Sequence, residues 1–469
     1  MTKTAKTTFA LFFGNRWVFP ASLQSSARAE VSEALKRLGH EVLMLPESAT
    51  QYGAVESPRD GEIYARFLRE NRGRFSGVIV CLPNFGDETG AVAALQDAGV
   101  PILIQAYPDE LDKMAPALRR DAFCGKFSIM DVFTQYGVPF TAMKPHVVHP
   151  ASDAFGANIE YFDRLCRVHA AMKRMVVGSI GARTTAFKTV RIDELALQKH
   201  GITVETLDLS NILGRMKSIM ADGDDFRAKA DRLQSYASFT AVPAKPFENL
   251  VRLGVAIDGV IEEFGLDAVA IRCWLEIQQQ AGISPCVILS ELNDRGFPAA
   301  CEVDIGSAIT MHALRAASGS VAACLDWNNN YGDELDKCIL FHCGPVPQTM
   351  MRNRGEVVDH TILANAIGPG CSYGCNVGRI APAPFTFGNV LTRDGRLECY
   401  LGEGHFTQDE IPDDFFGCAG VAHIPNLQST LQTIGCLGHR HHVAVSLGHV
   451  AAPVHEAMTK YLGYQVARV

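Results

Sequence analysis

The chain has 469 residues, 47% of them hydrophobic and 20% charged, so it holds enough apolar material for several buried cores and is not globally disordered. At roughly 100–200 residues per domain, this length predicts about three domains and excludes a single small module. Lys and Arg number 43 against 51 Asp and Glu, a formal net charge of -8, which offers no general attraction to a polyanion and excludes nucleic acid as an expected partner.

The start, Met1-Thr2-Lys3-Thr4-Ala5-Lys6, leads directly into a strand-like run and shows neither a signal-peptide apolar region nor a small-residue cleavage site. No stretch approaches about 18 uninterrupted apolar residues, so no membrane partner is expected. The 14 Cys are scattered through a long chain and read as free thiols under reducing conditions, which makes a cytoplasmic location the expectation.

The first third alternates strand and helix signals: a strand at 9–13, a helix over 25–38 ended by Gly39, a strand at 41–46, a helix at 62–69, a strand at 77–81, a helix at 90–98 and a strand at 100–104. Short apolar strands separated by amphipathic helices predict a parallel, doubly wound sheet whose ligand edge lies at the strand C-termini. After a helix over 161–175, a second series begins with a strand at 176–181. It continues with a helix over 247–264, a strand at 266–273, a helix at 285–292, a strand at 298–301 and a helix over 305–317. The last third changes to short β-rich pieces, such as 337–341 and 383–388, separated by Gly, Pro and Asn turns. The expectation is an α/β protein: two doubly wound, Rossmann-like parallel-sheet domains at 1–172 and 173–318, candidates for a duplication, then a β-rich, barrel-like domain at 319–469.

Chemistry-bearing residues fall at the strand ends. Cys301-Glu302-Val303-Asp304 follows an apolar strand and precedes an apolar helix, and Cys324-Leu325-Asp326-Trp327 repeats the device one unit later. Each acid taken alone is more often a cap of the next helix than a site residue. Near the C-terminus, Gly438-His439-Arg440-His441-His442 enters an alternating apolar strand that ends at Gly448-His449. Imidazoles joined to two carboxylates suit Mn²⁺, Mg²⁺ or Co²⁺ better than a thiolate zinc site. Cys371 and Cys375 have no second matching pair and read as thiols of a Gly-rich loop. Neither a dinucleotide fingerprint, a Walker loop nor a serine-nucleophile elbow is present.

These residues resemble the L-fucose isomerase and L-arabinose isomerase superfamily, on the side of the shorter fucose isomerase-like members and over most of the chain. The resemblance rests on Cys301-Glu302-Val303-Asp304-Ile305, Leu325-Asp326-Trp327, Phe341-His342-Cys343-Gly344 and His441-His442 leading to Gly448-His449. It implies an aldose–ketose isomerase working through a cis-enediolate, with Glu302 and Asp326 as the acid/base pair. Glu302, Asp326 and His442 would bind one divalent cation, usually manganese, between the second and third domains. His342 matches an additional ligand of the arabinose branch, at a position where the fucose branch has no His. His441 would face the substrate, loop 178–185 matches the loop opening the second domain, and 381–388 resembles a strand of the family's C-terminal barrel.

Two departures bear on the substrate. Ile271-Arg272-Cys273-Trp274 replaces a Gln-rich segment that contacts sugar hydroxyls in fucose isomerases, which leaves Trp274 as a substrate-binding candidate and points away from fucose itself. Asn15-Arg16-Trp17 is the nearest match to a loop that completes the family's site from a neighbouring subunit. This makes Arg16 and Trp17 substrate-binding candidates in a homo-oligomer, a trimer or hexamer, with its active site near a subunit interface. Arg16, Arg183 or Arg272 could meet a phosphate or sulfonate on the sugar, and a salt bridge at a subunit contact is an equal reading for each. Two other function classes compete: a non-catalytic sugar-binding module, and a metal-dependent hydrolase or lyase using the same ligands to activate water.

Overall fold

The computed structural model describes residues 6–469, so the polar start at 1–5 lies outside the described residues. The chain divides into two compact units: the described residues up to Ala170 with Glu456–Leu462, and Ala171–His455 with Gly463–Val469.

In the first unit, β1 (Phe9–Phe13), β2 (Val42–Met44), β3 (Gly77–Leu82) and β4 (Ile102–Ala106) form a parallel sheet in the order β2-β1-β3-β4. β1, β3 and β4 are buried along their whole length, the physical reason they read as continuous apolar runs. Helix Pro58–Glu70 starts where the Ser57 side chain accepts from the Asp60 N–H, with Pro at its first position, and Asp87 caps helix Glu88–Leu95 in the same way. The two helices approach closely at Gly61, where a Cβ would stand 2.4 Å from the Gly90 carbonyl oxygen. Glu456, from the segment that returns to this unit, accepts hydrogen bonds from the hydroxyls of Thr141 (2.8 Å) and Tyr161 (2.7 Å).

The second unit opens with a second parallel sheet, β5 (Met175–Ile180), β6 (Ile202–Leu207), β7 (Ala268–Ile271) and β8 (Ala299–Cys301), in the order β6-β5-β7-β8. Second, first, third, fourth is also the order of the first sheet. β6 and the helices Leu209–Ser218 and Asp224–Tyr236 go beyond the sequence expectations. β6 is a half-exposed edge strand, so Ile202-Thr203-Val204-Glu205-Thr206-Leu207 carries polar residues where the buried strands have none.

The remaining strands are β9 (Ala322–Asn330), β10 (Lys337–His342), β11 (Glu356–Asp359), β12 (Tyr373–Arg379), β13 (Ala383–Arg393), β14 (Arg396–Phe406), β15 (Cys418–His423), β16 (His442–Leu447) and β17 (Gln465–Arg468). They make one mixed nine-stranded sheet in the order β11-β12-β15-β10-β9-β16-β13-β14-β17. β14 also pairs with β15 at His405–His423 and Phe406–Ala422, so the pairings from β15 through β10, β9, β16, β13 and β14 return to β15. The β13–β14 hairpin turns on Asp394-Gly395, both with positive φ, the two-residue turn whose twist matches the flanking strands.

Helix Ile305–Ser318 ties the two sheets of this unit together. It runs from β8 and docks on β13 so closely that a Cβ on Gly306 would lie 2.2 Å from the Val390 carbonyl oxygen. Thr310 Oγ1 accepts from Val390 N (2.9 Å), and Asn389 Nδ2 donates to Ser307 Oγ (2.9 Å). Every cysteine is free, and among the described residues no helix is long and apolar enough to cross a membrane.

Candidate active site

Glu302 and Asp304 stand in the turn between β8 and helix Ile305–Ser318. Glu302 and Val303 both lie in the left-handed region, with φ of 60° and 59°, a conformation costly for a β-branched residue. The turn is held by Val303 N donating to Ile271 O (3.1 Å) and Asp304 N donating to Cys301 O (3.0 Å). Asp304 then caps the helix, accepting from Ser307 N (3.0 Å) and Ser307 Oγ (2.7 Å). Asp326 sits in β9, directly opposite His442 of β16 on one side and Phe341 of β10 on the other. His342 closes β10, and His441 immediately precedes β16. The acids expected at neighbouring strand ends therefore come from different sheets, brought together by the cross-strand register of β9 and β16.

His442 is the centre of the arrangement and is fully buried. Its Nδ1 lies 2.7 Å from Asp304 Oδ2, and its Nε2 lies 2.9 Å from Glu302 Oε2 and 3.5 Å from Asp326 Oδ1. Asp304 is itself buried and ion-paired with the buried Arg440. Trp274 Nε1 donates to the other oxygen of Glu302 (2.9 Å). Phe187 packs edge-on to Trp274 and His441, with ring centroids 5.6 Å away in each case, and 5.9 Å from the ring of His442.

Burial opposes the charge on every one of these groups, and their partners decide the outcome. Burial would raise Glu302, but His442, His342 and the Trp274 N–H bring it below the usual carboxylate range. Asp304 is likewise opposed by burial and is held well below that range by Arg440 and His442. For Asp326 burial wins over His342 and His442, and its carboxyl is raised. Burial lowers an imidazole, yet Asp304 and Glu302 raise His442 to about 10, and Cys343, Asp326 and Glu302 raise His342 to about 9. His441 is lowered, by burial first and by the charge of His442 second. The acid pair is thus split, one member down and the other up.

Two observations bear on whether a divalent cation suits these residues. Asp326 Oδ1 and His442 Nε2 are buried without a hydrogen-bond partner among the described residues. Ligand atoms lie within 4.8 Å of one another in Glu302–His342–His442 and in Asp326–His441–His442, so each carboxylate joins His442 in its own group. Orphaned donor atoms, two carboxylates and an imidazole fixed by a carboxylate at its other nitrogen suit a hard-to-borderline divalent ion.

The other candidates fall in several places. Arg183 is exposed on the loop that carries Phe187, and its guanidinium donates to the carbonyls of Phe187 (3.1 Å) and Thr184 (3.5 Å). Arg272 is taken up by an ion pair with Glu276 and by the carbonyls of Ala182 (3.0 Å) and Arg183 (3.3 Å), so it clamps this loop. Arg16 and Trp17 belong to the first unit. There Arg16 pairs with Glu88, donates to Gly86 O (2.9 Å) and lies 4.3 Å over the Phe85 ring, while Trp17 is 80% exposed. Asp304, Arg440 and Phe187 enter the site without having been assigned to it from sequence. The signal for Asp304 was its place beside Glu302, where capping and holding His442 turn out to be one task.

The site thus consists of a buried imidazole between carboxylates, set at the junction of a parallel α/β sheet and a mixed β sheet. Two family models match the chain in order: the fucose/sulfoquinovose isomerase N-terminal domain over residues 10–173 and the L-fucose isomerase C-terminal domain over residues 340–469. The chain belongs to the fucose isomerase-like family. It is similar to a sulfoquinovose isomerase of Clostridium sp. (strain MSTE9), with 26% identity over 48% of this chain and 50% of that protein. Sulfoquinovose isomerases of Priestia aryabhattai and Alkalicoccus urumqiensis are 22% and 23% identical, over 55% and 57% of this chain and 57% and 59% of theirs. The chain thus spans about half the length of the curated relatives it matches. Glu302 and Asp326 lie between the two matched segments, whereas His342, His441 and His442 lie inside the second.

Proposed function

We propose that the protein is an aldose–ketose isomerase acting on a monosaccharide with an anionic substituent, of which sulfoquinovose is the example the relatives supply. The observation that carries this reading is the meeting of Glu302 and Asp326 at one nitrogen of His442, at 2.9 and 3.5 Å. Isomerisation needs two proton movements: one leaves C2 and arrives at C1, and one passes from the C2 hydroxyl to the C1 oxygen. Glu302, kept ionised by His442 and Trp274, accepts the carbon proton and, after exchange with solvent, delivers one to the neighbouring carbon. Asp326, with its raised carboxyl, exchanges a proton with the oxygens.

Glu302, Asp326 and His442 would hold the divalent cation, manganese by family expectation. When bound, it supplies Lewis-acid stabilisation of negative charge developing on neighbouring sugar oxygens. His442 offers Nε2 because Asp304 fixes the Nδ1 proton. Phe187, Trp274 and His441 give the sugar an apolar wall, and the exposed Arg183 on the same loop suits a sulfonate or phosphate by charge.

The test is NMR in D₂O of sulfoquinovose incubated with purified, Mn²⁺-loaded protein. A ketose of the same composition, carrying a solvent deuteron at C1, is expected. EDTA should abolish its formation and Mn²⁺ restore it, and Glu302→Gln should lower turnover by at least about 10²-fold with unchanged circular dichroism. Sugar bound and returned unchanged, or full activity in EDTA, would overturn the reading.

A further inference from the structure

The two histidines beside the carboxylates present opposite ring nitrogens to their supports. His442 turns Nδ1 to a carboxylate oxygen of Asp304, at 2.7 Å, which can only accept. In the ring that has given up one proton, the remaining hydrogen therefore sits on Nδ1, and Nε2 carries the lone pair toward Glu302 and Asp326. That is the tautomer a metal-binding imidazole needs. His342 is the reverse. Its Nδ1 accepts from the backbone N–H of Cys343 at 2.9 Å, a group that can only donate, and the Cys343 thiol lies 3.2 Å from the same nitrogen. The Nδ1 lone pair is used there, so the neutral ring bears its hydrogen on Nε2.

Nε2 of His342 has no partner. It is buried without a hydrogen bond among the described residues, in a side chain only 4% exposed, and His342 forms a group with Glu302 and His442 whose ligand atoms lie within 4.8 Å of one another. An N–H in that position has no lone pair to give a cation, and it is a donor waiting for an acceptor.

We propose that His342 is not a ligand of the cation but a substrate-holding residue, whose Nε2–H donates to a sugar oxygen next to Glu302 and His442. This assigns the two buried histidines separate tasks, one toward the cation and one toward the sugar, and it rests on the isomerase reading only for the identity of the acceptor. His342 is distinct in this from a fourth ligand, which would need a backbone carbonyl or carboxylate at Nδ1 where the chain supplies the Cys343 N–H.

The inference is tested first without sugar. Mn²⁺ titration followed by electron paramagnetic resonance of the free ion should give His342→Gln and His342→Ala affinities within about threefold of wild type, while His442→Ala loses at least the 10–100-fold seen when even an outer partner of a ligand is removed. Long-range ¹H–¹⁵N spectra of the metal-free wild-type protein, recorded above the raised pKa of about 9 so that the ring is neutral, should show His342 protonated at Nε2 and bare at Nδ1. With sulfoquinovose, His342→Ala should lose about 10²-fold in kcat/KM, and His342→Gln, whose amide can donate, should recover part of that loss. A fall in Mn²⁺ affinity for His342→Ala equal to that of His442→Ala, or the opposite tautomer in the spectra, would overturn it. If the wild type fails to isomerise the sugar, the functional reading falls, and the Mn²⁺ and tautomer results still decide whether His342 is a ligand.

Discussion

At the scale of single residues, Asp304 serves helix, ion pair and histidine at once. It caps helix Ile305–Ser318, neutralises the buried Arg440 and holds the His442 Nδ1 proton. Asp304→Asn keeps the shape and removes the charge, so Arg440 stays buried without its counter-ion, a change that costs about 3–5 kcal/mol in comparable settings. The thermal midpoint should fall accordingly, and Mn²⁺ should bind about 10–100-fold more weakly, read by titration at a temperature where the variant is folded. An unchanged affinity would remove Asp304 from the site. A second residue gives a pH test away from the site. Lys126 is almost wholly buried, its Nζ donating to the carbonyl of His146 (2.7 Å), and burial lowers its pKa to about 8 from an ordinary 10.5. Between these values the unfolded chain binds more protons, so stability rises with pH from about 8 to 10.5, and below 8 the full penalty of roughly 3 kcal/mol applies. Lys126→Met should raise the melting temperature at pH 7, with an advantage that disappears toward pH 10.5. A constant advantage across that range would show that packing, not charge, is responsible.

At the scale of elements, the site depends on how closely helix Ile305–Ser318 lies against β13. The Gly306 hydrogen faces the Val390 carbonyl at a separation no methyl group can occupy, so Gly306→Ala must push the helix outward and displace Asp304 with it. A loss of roughly 1–3 kcal/mol in denaturant melts, as for other overpacked contacts, should accompany weaker Mn²⁺ binding. Retained affinity despite the loss of stability would show that the turn at Glu302 and Val303 holds its geometry independently of the helix. The local chemistry of this helix was legible: strand, acidic turn and apolar helix follow one another in sequence, and the structure places β8 and the helix within a residue of the expected bounds. β6 was not legible, because an edge strand with one wet face lacks the apolar run by which the central strands announce themselves.

At the scale of the whole molecule, the first unit leaves large apolar side chains in water. Phe123 and Phe127, one turn apart on helix Ala122–Gln135, are 53% and 55% exposed, and their rings meet each other and His146. We expect a second copy of the chain to cover this face. Phe123→Glu with Phe127→Glu should shift sedimentation toward a smaller species; an unchanged sedimentation coefficient would place any subunit contact elsewhere. The sequence by itself determined the alternation of strands and helices and the change to β-rich structure in the last third of the chain. These depend on apolar periodicity, caps and turns, which act between near neighbours along the chain. Only the tertiary structure decided which nitrogen of each histidine is free, that Asp304 and Arg440 stand behind His442, and that Arg272 is already bound to Glu276. A proton's position on an imidazole, like the availability of a guanidinium, is fixed by the charges and hydrogen bonds that surround it. Most of those here come from residues that meet only when separate strands and helices pack together.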